Sequence, residues 1–230
     1  MSTRLECFRR RQAMATPSPN ASPKEPVRLV PPAGQPAAGQ SGADPAMVAL
    51  PSFIVGSVAL AMVLIGFVPA TATGAAMPIV LAAALGMFLA MIWAARIGEN
   101  VSAGITGVFG GFFLSYALLV LGLTHNWYGI APNAVADTQK LFVISWIVIV
   151  TILVLASVRL PVIYGLLFVL IDASLVLNLL GIIQSSANLG KAAGWVLMAV
   201  AATIVYLFLG AASHDTGGKE LPLGRPILHT

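Results

Sequence analysis

Six separate stretches of this chain are apolar for about 20 residues each, at roughly 47–68, 76–95, 103–123, 141–158, 161–183 and 192–212. Twenty residues at about 1.5 Å rise per residue match the ~30 Å hydrocarbon layer of a bilayer. A soluble chain does not tolerate six such runs, because most of the surface of a small soluble fold must be wetted. Only 9% of the 230 residues are charged and 58% are hydrophobic, against about 25% charged in soluble domains. The expected fold is an all-α membrane protein with six transmembrane helices, forming a domain over 43–212.

The flanks differ from the spans. Residues 1–42 are rich in Pro, Ala, Ser, Gly and Gln and read as a disordered tail. Arg4, Arg9, Arg10, Arg11, Lys24 and Arg28 give that tail a basic character suited to anionic lipid headgroups. No recognition pattern for nucleic acid accompanies those charges. Residues 213–230 form a short polar C-terminal tail. With the N-terminus in the cytosol, Arg96, Arg159, Lys219 and Arg225 fall on the same side as the basic tail, and only Lys140 and Lys191 fall opposite. The positive-inside rule then places both termini in the cytosol, which fits an even number of spans in a cytoplasmic membrane.

Helix starts carry suitable chemistry. Asp44-Pro45 supplies a capping carboxylate and a proline whose missing N–H is harmless there. Pro78 and Pro161 sit at comparable early positions, and Asp137 is placed to cap the fourth helix. Lipid gives no hydrophobic drive for helices to associate, so small residues must let backbones approach. Ala82, Gly86, Ala90 and Ala94 make one small-residue stripe, and Ala103, Gly107 and Gly111 make another. Opposite the second stripe, Ile105, Phe109, Phe112, Phe113 and Tyr116 fall within about 100° of arc. Two readings stay open for that arc: an ordinary core stripe, or a hydrophobic constriction lining a pore.

Polar groups within the spans are few. Asp172 is the one acidic residue deep in a span, where an ionised carboxylate costs roughly 2.5–3.5 kcal/mol. Removal from water favours its neutral form, so it is a candidate proton carrier, or else a neutral group bonded to a neighbouring helix. Ser57 lies one turn beyond Phe53; Thr106, Ser115 and Asn178 add isolated polar atoms. Taken together they make a sparse polar path for a small solute. No nucleophile–base pair lies in the spans, the three histidines fall outside them, and the single cysteine excludes an intrachain disulfide. The chain reads as a transporter or channel without a cofactor or metal, not as an enzyme.

Three motifs carry a family resemblance. Asp44-Pro45-Ala46 followed by Phe53 is similar to an Asn/Asp-Pro-Ala motif that opens a first helix. Phe109-Gly110-Gly111-Phe112-Phe113-Leu114-Ser115 resembles a Tyr-Gly-x-Phe-Trp-Leu-Ser run. Gly194-Trp195, Tyr206 and Leu221-Pro222-Leu223-Gly224 resemble a closing Gly-Trp, Tyr and Leu-Pro-x-Gly pattern. Together they resemble the acetate uptake transporter family, also called the succinate–acetate permease family. The resemblance implies a six-helix protomer in a homo-hexameric ring. It also implies uptake of acetate, with other short monocarboxylates or succinate, by proton symport or a channel-like mechanism. It makes Phe53 and Phe109 constriction aromatics and places Ile171 near a fifth-helix constriction position. Phe109 lacks the family's Tyr hydroxyl, and Glu99 stands where the family has Asn. Those departures, and the absence of Arg within the spans, make a channel for urea or a short amide the alternative.

Overall fold

The computed structural model describes residues 44–219 and 221–225; the tail expected over 1–42 lies outside the described residues. Within the described residues there are six long helices and no strand: α1 (Ala46–Ile65), α2 (Met77–Arg96), α3 (Asn100–Thr124), α4 (Val135–Ala156), α5 (Val162–Ile183) and α6 (Ala187–Asp215). All six are long and apolar enough to cross a membrane, and each overlaps an apolar run read from the sequence.

The main differences lie at two ends. Helix α4 starts at Val135 and α6 at Ala187, each several residues before its apolar run. The apolar pattern measures the hydrocarbon crossing, whereas helix length also includes polar turns. In the first turns of α4, Asp137 pairs with Lys140 and the Thr138 hydroxyl donates to the Ala134 carbonyl. Asp137 therefore sits inside the first turn and does not cap it. Asp44 does act as a cap: its Oδ1 accepts the Ala46 N–H at 2.7 Å.

Backbones approach most closely in the order α3–α2–α1–α6–α5–α4. The α2–α3, α4–α5 and α5–α6 turns are short. The α2–α3 turn depends on Gly98, whose φ of 86° lies in the left-handed region that glycine adopts without strain. It lets the Glu99 N–H reach the Ala94 carbonyl at 2.9 Å, closing α2. The remaining seam, α3 against α4, is bridged by side chains. The Phe112 ring centroid lies 5.2 Å from that of Trp146 and 6.0 Å from that of Phe142.

Small residues make the close seams, but not as uniform stripes. Ala90 and Ala94 are fully buried while Ala82 is exposed. On α3 the approach to α2 is tight at Gly110. A Cβ there would lie 3.2 Å from the Met87 Cβ and from the Phe88 ring. Gly107 faces Met91 of α2, whereas Gly111 faces Trp146 of α4. The stripe expected over 103, 107 and 111 thus divides between two neighbours. The Leu-Pro-Leu-Gly motif is tied back onto the bundle. The Tyr206 hydroxyl donates to the Pro222 carbonyl at 2.9 Å, and the Ile163 N–H to the Leu223 carbonyl at 3.3 Å. This occupies an otherwise orphaned donor at the start of α5.

Candidate functional site

Three cavities follow one another along the bundle. The first is lined by the starts of α1, α3 and α5 and the far half of α6, including Pro45, Ala46, Thr106, Tyr164 and Leu207. The second occupies the middle, with Ser57, Phe112, Trp146, Ile171 and Ser174 among its walls. The third opens toward the other face, between the ends of α1, α3 and α5 and the start of α4, with Gln139 and Thr124. Phe53 lines both the first and the second, while Leu64, Tyr116 and Asn178 line both the second and the third. Shared walls make the three a connected series. Their volumes are about 110, 50 and 470 Å³ in that order.

The wall between the first two is aromatic. The Phe53 and Phe109 ring centroids are 4.7 Å apart, and Phe168 stacks on Phe109 at 6.2 Å. Phe113 meets Phe53 edge-on at 5.5 Å. Phe109 is 2% exposed and Phe168 1%, and the packed rings lie where the first and second cavities meet. Phe53 reaches this place because α1 presents Ala49, Phe53, Gly56, Ser57 and Leu60 on one buried face. The missing side chain of Gly56 leaves room for Phe113, since a Cβ there would lie 2.6 Å from its ring.

Most of the path candidates picked out from the sequence gather here, with Ser115 and Asp172 the exceptions. Phe53, Ser57, Phe109, Phe112, Ile171 and Asn178 line the middle cavity, and Thr106 lines the first. Pro45 and Ala46 form part of the first cavity's wall, above the Asp44 cap, and Gly110 admits α2. Asp172 lines none of the three. It turns toward α4, where the Thr151 hydroxyl lies 3.3 Å from both carboxylate oxygens. Tyr116 was read as part of the aromatic arc of α3, whereas Phe168, Trp146 and Gln139 were not singled out as site residues. Phe168 precedes Ile171 by three residues, about one helical turn, and that spacing was its available signal.

Hydrogen-bonding capacity is distributed unevenly. Ser57 donates to the Phe53 carbonyl at 2.7 Å and Ser174 to the Ala193 carbonyl of α6 at 2.9 Å. Thr106 donates to the Ser102 carbonyl at 2.7 Å. Those hydroxyl protons are committed, leaving lone pairs. None of the residues lining the three cavities carries a formal charge. The lining is therefore apolar, with a few neutral polar atoms and no fixed ion.

Comparison with known proteins follows from this geometry. A sequence profile of the GPR1/FUN34/yaaH family matches residues 28–217. No curated protein matches the chain in sequence. A solved structure described as the bacterial acetate channel SatP has a similar fold, with a TM-score of 0.70 and 19% identity over 80% of this chain and 99% of that one.

Proposed function

The chain belongs to the GPR1/FUN34/yaaH family, and from that premise we propose that it is a multi-pass membrane channel or transporter for acetate and other short monocarboxylates. The observation that carries the reading is the series of three cavities closed by Phe53, Phe109 and Phe168. A hydrophobic closure passes a small, weakly hydrated solute and retards ions that hold their water. The middle cavity, about 50 Å³, favours acids of two or three carbons ahead of succinate. The likeness in fold to a bacterial acetate channel supports acetate over urea.

No carboxylate or histidine lines the cavities. This supports channel-like passage, in which any accompanying proton travels on the acid itself. Asp172, the candidate proton carrier, belongs in this reading to the α4–α5 seam. The charge bias supports both termini in the cytosol, with the basic tail attracted to anionic lipid. A ring of six copies completes the proposal.

Uptake of labelled acetate and urea into proteoliposomes tests it. Acetate entry should exceed that into empty vesicles while urea entry does not. Acetate entry equal to empty vesicles overturns the reading.

A further inference from the structure

Building on that transport reading, we infer that Tyr116, Gln139 and Asn178 form a carboxylate-binding station on the far side of the phenyl closure. They come from three helices, α3, α4 and α5, and all three line the third cavity. Tyr116 and Asn178 also line the middle cavity, so the station straddles the junction a solute must cross. No side-chain hydrogen bond engages any of the three among the described residues, and no buried side-chain N or O atom there lacks a partner. Their polar atoms are therefore accessible and uncommitted. The neighbouring hydroxyls are spent: Thr124 donates to the Val120 carbonyl at 2.7 Å, and Ser57 and Ser174 to carbonyls nearby.

The chemistry selects the ligand class. A carboxylate only accepts hydrogen bonds, and a tyrosine O–H with two primary amides supplies donors. The Tyr116 ring is held between Phe112, at 6.1 Å, and Phe142, at 6.0 Å, which fixes where its hydroxyl points. The short alkyl group is left to the apolar walls of the middle cavity, among them Leu64, Phe112 and Leu175. Neutral donors bind an anion weakly, which conduction requires, since the solute must also leave. The hydroxyl absent at Phe109 is thus supplied two turns further along the same helix.

Concentration-dependent acetate uptake by the full chain in proteoliposomes tests the station. Tyr116→Phe keeps the ring contacts and should raise the half-saturating acetate concentration about 10- to 100-fold, as expected for loss of one hydrogen bond to a charged group. Asn178→Leu should act in the same direction. Asn178→Asp should cut acetate flux at least ~10-fold, because a like charge at the junction repels the anion. If the wild-type chain carries acetate but Tyr116→Phe and Asn178→Leu keep its half-saturation, the station is overturned and the transport reading stands. If the wild-type chain carries no acetate, both fall.

Discussion

Helix α3 is held by two seams of opposite construction. Against α2 it offers Gly107 and Gly110, and the backbones approach until a single added carbon at Gly110 would press on Met87 and Phe88. Against α4 it offers Phe112 and Tyr116, and the helices meet through the rings of Phe142 and Trp146. The first seam has little slack at Gly110, because the Met87 Cβ it faces is fixed by its own backbone and does not move with rotamer. The second is made of side chains that also wall the middle and third cavities. One seam fixes where α3 stands; the other shapes what passes beside it. Separating scaffold from lining in this way lets the route vary without unseating the helix.

The backbone seam should give the largest effect. Gly110→Leu forces a side chain into contact already closed at the Cβ, and overpacking of this kind costs about 1–3 kcal/mol. Thermal unfolding in detergent should show a Tm lower by roughly 5–10 °C, with acetate uptake falling as folded protein is lost. A wild-type Tm would mean that α2 and α3 yield freely, and the contrast between the seams would fail.

The aromatic seam should give a smaller structural effect and a larger functional one. Trp146→Leu removes an edge-to-face pair with Phe112, worth about 0.5–1.5 kcal/mol beyond its area. It also widens the middle cavity, which Trp146 lines. The ratio of butyrate to acetate uptake should rise while Tm shifts by only a few degrees. If Trp146→Leu destabilises as much as Gly110→Leu and leaves the ratio unchanged, the rings are scaffold as well.

How far this was legible in the sequence follows from the same physics. Bilayer thickness sets how many apolar residues a span needs, so all six spans could be found from composition and length. The cap at Asp44 was readable because capping is a local interaction. Phe53, Phe109 and Ile171 were readable by resemblance, and Ser57 and Asn178 as polar atoms within apolar runs. The neighbour of each face was not. Periodicity shows that Gly107 and Gly111 share a stripe, yet one faces α2 and the other α4, because 3.6 residues per turn leaves them about 40° apart and the stripe straddles two partners. Phe168 was missed for a related reason. Its stacking on Phe109 depends on where α5 stands relative to α3, which no local pattern encodes. The commitment of Ser57 and Ser174 to carbonyls, and the freedom of Tyr116, were likewise invisible until the helices were placed.

The far seam of α4 offers the smallest effect and the sharpest question. Asp172 is half-buried there, facing an exposed Thr151 across 3.3 Å. Both lie outside the three cavities. Asparagine keeps the shape and an acceptor oxygen for Thr151, so Asp172→Asn should change stability by no more than about 1 kcal/mol. Because the carboxyl does not touch the route, acetate uptake measured from pH 5 to 8 should trace the wild-type curve. A proton carrier behaves differently. Removing its only titratable oxygen pair would flatten the pH dependence at constant Tm. A flattened curve with unchanged stability would bring Asp172 back as a carrier and give the α4–α5 seam a part in transport; coincident curves leave it a hydrogen-bonding group between two helices.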